Sequence, residues 1–269
     1  MPSWRIFSTR NLSRRPELMS KMKISFLFPL LVVCSAPAGC RAAPAPCEVA
    51  RNAFPPPGSF FAEVRTSRKA VAISFDDGPG DYTPAVLDIL ARRGARATFF
   101  VMGSRIKGRE DILRKIHAAG HEIANHTYGH INFYAYKNDD RAVALTSEIN
   151  KTDALIFAAV GERTRFLRMP HGYCARWSRD VARLTGHVMT NWTRGYDWMG
   201  LSQEETTRKY VEALKPGAIL LFHDGGGNRT KTIAALEAVL DAASKAGYEA
   251  VTVGDLICSP VDDIVVEKK

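Results

Sequence analysis

Two adjacent carboxylates, Asp76 and Asp77, stand in the segment Ser74-Phe-Asp-Asp-Gly-Pro79. Neighbouring like charges repel unless a cation or a proton lies between them. The pair therefore reads either as paired acid–base and metal chemistry or as a solvated Asp-Asp-Gly turn. Farther along, His126 and His130 are four residues apart, a spacing that one turn of helix would bring to one side. Two neutral imidazoles and one carboxylate make a site for zinc or a similar divalent ion, with positions left for water. A histidine pair taken alone has an ordinary reading as satisfied surface or core side chains. Arg168, in Phe166-Leu-Arg-Met-Pro-His-Gly172, can grip a carboxylate with two parallel hydrogen bonds and keep it ionised. Asp197 and Trp198 follow in Asn191-Trp-Thr-Arg-Gly-Tyr-Asp-Trp198. His223 ends the apolar run Leu220-Leu-Phe222, with Asp224 and three glycines after it. Packing alone explains such a histidine poorly. An exposed aromatic such as Trp198 offers a flat face on which sugars stack.

These residues share a place in the chain's rhythm. Short apolar runs occur at 71–75, 97–101, 122–124, 166–168, 188–191, 218–222 and 250–253. Between most of them lie stretches with apolar positions near a period of 3.6, at 83–93, 110–119, 139–160, 178–184, 202–214 and 230–246. Gly94, Gly120, Gly161, Gly186 and Gly247 stand just beyond five of these helical stretches, where left-handed caps are common. Strands alternating with helices predict an α/β fold with a parallel sheet, open or closed. Seven units in so short a span favour a barrel-like closure. Either way, ligands sit beyond the C-terminal ends of the strands. The Asp pair, the His pair, Arg168, Asp197-Trp198 and His223 all follow such ends.

The 269 residues are 46% hydrophobic and 24% charged, which excludes a disordered or collagen-like chain. The formal charge of +9 is uneven, because residues 1–40 hold six basic residues and one acidic one. The rest is only mildly basic, and no basic stripe interleaved with aromatics argues for nucleic-acid binding. Lys21 and Lys23 precede the apolar run 24–34 and the small-residue stretch 35–40. That order predicts an export signal over residues 1–40, with translation starting at Met1, Met19 or Met22. The apolar run is about half of what a spanning helix needs. Cys40 after Gly39 resembles a lipoprotein site, although Pro37 departs from it; lipidation there would make the protein membrane-anchored. The Ala- and Pro-rich residues 41–68 read as linker and lead-in, 69–257 as the catalytic domain and 258–269 as a tail. No cysteine lies in a CxxC pair. Cys47 and Cys258 are candidates to tie the domain's ends together in an oxidising compartment, and Cys174 is expected as a free, buried thiol.

In order and type, these motifs resemble the NodB-type polysaccharide deacetylases, carbohydrate esterase family 4. That family carries Phe-Asp-Asp-Gly-Pro, His-(Ser/Thr)-x-x-His, Arg-x-Pro-Tyr, Asp-x-x-Asp-Trp and Leu-x-His. Here the counterparts are Phe75–Pro79, His126–His130, Arg168–His171, Asp197-Trp198 and Leu221–His223. The resemblance implies an irregular (β/α)7-type barrel and a hydrolase that removes N-acetyl groups from a polysaccharide of N-acetylglucosamine type, peptidoglycan or chitin-like. It implies Asp77, His126 and His130 as ligands of Zn2+, or of Co2+ or Ni2+. Asp76 becomes the general base, His223 the acid that protonates the departing amine, and Asp197 its orienting partner. Arg168 positions Asp76, the backbone N–H of His171 meets the oxyanion, and Trp198 and Leu221 line the acetyl pocket. The expected partners are an N-acetylated polysaccharide or oligosaccharide and no nucleic acid, for an exported monomer.

Two positions depart from the family pattern. His171 replaces the usual Tyr, and Arg194 stands where the fourth motif has its first Asp. The same fold leaves open an O-acetyl ester such as acetylxylan or a cyclic imide as the bond broken, or a carbohydrate-binding protein without activity. The segment 132–140, with Phe133, Tyr134 and Tyr136, reads equally as a groove wall or as a packed loop.

Overall fold

The computed structural model describes residues 54–258. The expected export segment, the Cys40 site, the Cys47 partner of Cys258 and nearly all of the tail lie outside these residues. Among the described residues there are nine strands: β1 (Phe60–Phe61), β2 (Ala70–Gly78), β3 (Thr98–Val101), β4 (Glu122–Asn125), β5 (Phe166–Leu167), β6 (Val188–Thr190), β7 (Arg194–Gly195), β8 (Ile219–His223) and β9 (Glu249–Val251). Seven α-helices accompany them: α1 (Thr83–Arg93), α2 (Glu110–Ala118), α3 (Arg141–Val160), α4 (Arg176–Thr185), α5 (Gln203–Glu212), α6 (Thr230–Lys245) and α7 (Val253–Ile257).

The strands form one parallel sheet in the order β1-β6-β5-β4-β3-β2-β8-β7, with β9 beside the start of β2. Strand β2 shows how alternation divides the core, since successive side chains leave a strand on opposite faces. Val71, Ile73 and Phe75 join the layer packed against the helices, with Phe99, Phe222, Leu90, Leu113, Tyr210 and Leu236. Ala70 and Ala72 face the other way, into a second cluster with Phe100, Phe166, Val188 and Ile219. Val253, Leu256 and Ile257 of α7 pack into that inner cluster. Continuing along the same inner face, β2 changes from alanine to Ser74 and then Asp76. The barrel interior is thus apolar where the strands begin and polar where they end.

The sheet curls until its two margins meet. The β6 strand pairs with β1 and β7 with β8, yet only residues 191–193 separate β6 from β7. Residues just after β1 complete the turn. Val64 N–H donates to Gly217 O at 2.9 Å, and Thr193 Oγ1 donates to Ala62 O at 2.9 Å. Part of the stretch read as lead-in is therefore built into the domain, with Phe61 and Val64 in the inner cluster. At two residues each, β1 and β7 are too short to show an alternating pattern, so neither was expected.

Candidate active site

The polar groups gather at the C-terminal ends of the strands. Asp77 Oδ1 lies 3.6 Å from His126 Nε2 and 3.3 Å from His130 Nε2. One donor atom from each of the three lies within 4.8 Å of the others. The route to this convergence differs from the helical turn expected for His126 and His130. Both follow β4 in an irregular loop, where Thr127 has φ 63° and His130 has φ 57°. Asp77 (φ 67°) and His171 (φ 58°) are the other two non-glycine residues with positive φ among the described residues. Asp77 and His130 belong to the converging group, Thr127 follows its third member His126, and the His171 ring contacts that of His130. Such backbone costs on the order of 1–3 kcal/mol per residue and persists where the surroundings impose it. Glycine makes room nearby: a Cβ on Gly225 would stand 1.9 Å from Asp77 O.

The donors suit a divalent cation. Asp77 Oδ1 is buried and has no hydrogen-bond partner, a costly state for a carboxylate oxygen unless an ion meets it. His126 Nδ1 donates to Arg168 O at 2.7 Å, since a carbonyl can only accept, which leaves the Nε2 lone pair facing Asp77. Burial, with His126 beside it, lowers the His130 pKa to about 4, so its ring is neutral at ordinary pH, as ligation requires. The far oxygen of Asp77, Oδ2, faces the Arg229 guanidinium at 3.9 Å.

Asp76 sits beside this group, 3% exposed. Its Oδ1 accepts from Arg168 at 2.7 Å, while Oδ2 lies 3.7 Å from His126 Nε2. Arg168 is fully buried, and every arm of it is used. It also donates to Ser74 Oγ at 3.0 Å, Asn191 O at 3.0 Å and Thr190 O at 3.3 Å. Its charge centre lies 3.9 Å from the Phe100 ring centre. Burial lowers its pKa, but an arginine retains its proton against such a shift.

Across the mouth, Asp197 Oδ1 accepts from His223 Nδ1 at 2.9 Å, and Asp197 Oδ2 accepts from the His223 backbone N–H at 2.8 Å. Burial opposes a charge on His223. The hydrogen bond and the charge of Asp197, with the charges of Asp76 and Asp77, together outweigh it and raise the His223 pKa above its usual 6.5. Asp197 is correspondingly lowered; burial works against its ionisation, and the hydrogen bonds and charge of His223 prevail together with the Thr232 hydrogen bond. The Trp198 ring meets the His223 ring edge-on at 5.2 Å and is 44% exposed. Leu221 is buried two residues before His223, so both side chains leave β8 on the same face. The His171 ring contacts that of His130 at 4.8 Å. Arg194 is exposed on β7 and lies outside these contacts.

Three supporting residues were missed in the sequence. Tyr210, fully buried on α5, accepts from the N–H groups of Tyr196 and Asp197 and donates to Leu221 O. Thr232 donates to Asp197 Oδ2 at 2.7 Å. Asp224 accepts from Thr83 Oγ1, and its own N–H donates to Asp76 O at 3.2 Å. Burial pushes the Asp224 carboxyl up to about 7. Only Asp224 carried a signal, its position next to His223. Cys174 is exposed, against the expectation that it is buried, because it lies in the loop between β5 and α4.

The sequence profile for polysaccharide deacetylases matches residues 63–190. A peptidoglycan-N-acetylglucosamine deacetylase of Bacillus cereus is 36% identical over 211 residues, spanning 77% of this chain and 97% of the relative. The chain belongs to the polysaccharide deacetylase family. A second family relative, a chitooligosaccharide deacetylase of Sinorhizobium fredii, is 32% identical over 68% of this chain and 89% of its own. Among solved structures of this deacetylase family, a peptidoglycan N-acetylglucosamine deacetylase superposes with a TM-score of 0.68. It is 28% identical, with 74% of this chain and 92% of that one covered. The parallel, curled sheet described above is the fold of the family.

Proposed function

We propose that this deacetylase is a metal-dependent hydrolase that cleaves the N-acetyl amide of N-acetylglucosamine units in a polysaccharide of peptidoglycan or chitin type. The observation that carries this reading is the convergence of Asp77, His126 and His130 beside an Arg168-held Asp76, with the His223–Asp197 pair opposite. Asp77, His126 and His130 would hold the cation, and their two-imidazole, one-carboxylate donor set favours Zn2+, with Co2+ or Ni2+ as substitutes. Such an ion supplies Lewis acidity, making water acidic enough to ionise near neutral pH and polarising the amide carbonyl.

The chain's own groups do the rest. Asp76 Oδ2, left free while Oδ1 is tied to Arg168, takes the proton from the attacking water. The new C–O bond gives a tetrahedral oxyanion, which the backbone N–H of His171 helps to bind. His223 then gives its proton to the amine nitrogen as the C–N bond breaks, leaving acetate and a free amine. Asp197 fixes the His223 ring with Nδ1 occupied, so Nε2 faces the leaving group. Trp198 and Leu221 would line the methyl pocket. The site faces a sugar polymer, which accords with export directed by residues 1–40 and action at the cell envelope as a monomer, with anchoring only if Cys40 is lipidated. Replacing Asp76 with Asn should cut acetate release from N-acetylglucosamine oligomers by roughly 10²–10⁴-fold while bound metal is retained. Undiminished release would remove Asp76 from the role of base.

A further inference from the structure

His126 and His130 are joined through Thr127, Tyr128 and Gly129, and no helix fixes their spacing. The loop instead turns through left-handed backbone at Thr127 and His130. Hydrogen bonds to its own main chain hold it there. His126 N–H donates to Val101 O at 2.9 Å, and Thr127 N–H donates to Asn125 Oδ1 at 2.8 Å. Thr127 O and Tyr128 O accept from the N–H groups of Gly103 and Ser104, each at 3.0 Å. These partners are neutral and come from the ends of β3 and β4 or just beyond. The next two N–H groups, of Tyr128 and Gly129, converge on a single oxygen, Glu148 Oε2, at 3.0 Å and 2.6 Å. Successive N–H groups aimed at one point form a concavity suited to an anion. Among the described residues, Glu148 supplies the ionisable acceptor for the backbone of 126–129.

Glu148 stands on α3, and α3 is docked by other contacts. Leu145 and Ile149 are buried with Leu167 and Met169. Asn125 Nδ2 donates to Ile149 O at 3.0 Å and to Asp153 Oδ1 at 2.7 Å. The Lys151 ammonium lies 3.4 Å from the centre of the Tyr128 ring. Packing of the helix therefore does not call for a half-buried carboxylate at 148; its work is done on the loop. A hydrogen bond to an ionised acceptor is roughly twice as strong as a neutral one. Withdrawing it leaves two adjacent donors unpaired and frees the chain between the imidazoles to leave its left-handed path. We infer that Glu148 is a positioning residue for the cation site: its carboxylate clamps the backbone between His126 and His130, so that both imidazoles are aimed before any metal arrives. This rests on the function proposed above for the role of those imidazoles as ligands.

The test is the zinc affinity of the full chain, read by competition with a chelating dye. Glu148→Ala should weaken zinc binding by roughly 10–100-fold, the range for losing a group that orients a metal ligand. Glu148→Gln keeps an acceptor without the charge and should fall between that variant and the unaltered protein. The zinc concentration giving half-maximal acetate release from N-acetylglucosamine oligomers should rise in step, with kcat and KM restored at saturating zinc. Equal zinc affinity in the folded variants and the unaltered protein would overturn the inference. If Glu148→Ala does not fold, Glu148→Gln decides alone, weaker binding supporting the clamp and equal binding refuting it. Amide hydrogen exchange in the metal-free proteins reads the clamp without zinc: Tyr128 and Gly129 should exchange faster in the variant, while β3 and β4 keep their rates. If zinc binds but no oligomer is deacetylated, the proposed function fails while the affinities still judge the clamp. If the unaltered protein binds no zinc, the metal reading fails and exchange decides, faster rates at those two amides supporting the clamp and equal rates refuting it.

Discussion

At the residue scale, the site works by assigning each oxygen and nitrogen a single task. Asp76 and Asp77 are chain neighbours, yet one is paired to Arg168 and the other presents an unpartnered oxygen to two imidazoles. The left-handed backbone at Asp77 is what lets adjacent carboxylates take up different roles. The acid side depends on charge. His223 is raised by Asp197, so it keeps its proton to higher pH than an ordinary imidazole and loses it as pH climbs through the raised value. Asp197→Asn removes the negative partner, and the alkaline limb of the kcat/KM profile should move to lower pH. The same limb in both proteins would detach His223 from that titration. The pair also bears on stability. His223's share is fully present below its unfolded value of about 6.5 and is lost as pH rises through the folded one. Asp197's share is present above about 3.9 and is lost as pH falls through its lowered folded value. Folding free energy measured against pH should therefore lose this contribution on both sides of a mildly acidic window in the unaltered protein, but not in Asp197→Asn.

At the scale of elements, strand ends deliver side chains and helices brace them. Tyr210 on α5 reaches under the β7 exit to tie Tyr196, Asp197 and Leu221 together through one hydroxyl. Tyr210→Phe leaves two buried N–H groups and a carbonyl without that partner, which should cost about 1–3 kcal/mol in denaturant unfolding. A drop in kcat should accompany it, because Asp197 loses a support; a neutral substitution in both measurements would show that other contacts position Asp197. Much of this was legible in advance. The strands and helices of 69–253 had clear periodicity, and Asp76, Asp77, His126, His130, Arg168 and His223 stand at strand ends as residue types that packing does not call for. The loop path of His126–His130 was not legible, since a four-residue spacing fits a helical turn equally well and positive φ at a Thr or a His leaves no mark in composition. Tyr210 and Thr232 were hidden because each looks like an ordinary residue on an amphipathic helix, and only the tertiary contact reveals its use.

At the scale of the whole molecule, the barrel is closed by a stretch that looked like a linker. Residues 60–64 carry buried Phe60, Phe61, Ala62 and Val64, and they bond to β6 on one side and to the β8 lead-in on the other. Gly217 makes that seam feasible, with φ 77° and Val64 O only 1.7 Å from where a Cβ would stand. Phe61→Ala should destabilise the fold by about 3–5 kcal/mol, read as a fall in the thermal midpoint, and Gly217→Ala should also lower it by forcing the seam apart. Midpoints equal to that of the unaltered protein would mean that the closure contributes little. The closed interior matters for the proposed chemistry too, because it places Arg168 fully out of water beneath Asp76, which is itself 3% exposed.

The proposed chemistry needs one cation, which Asp77, His126 and His130 would hold. The most direct measurement is metal content per chain after zinc loading and removal of excess, for the unaltered protein and for His126→Ala. About one equivalent should stay with the first and little with the second, while circular dichroism shows both folded. Equal zinc in the two proteins, or none in either, would contradict the assignment of Asp77, His126 and His130 as its ligands.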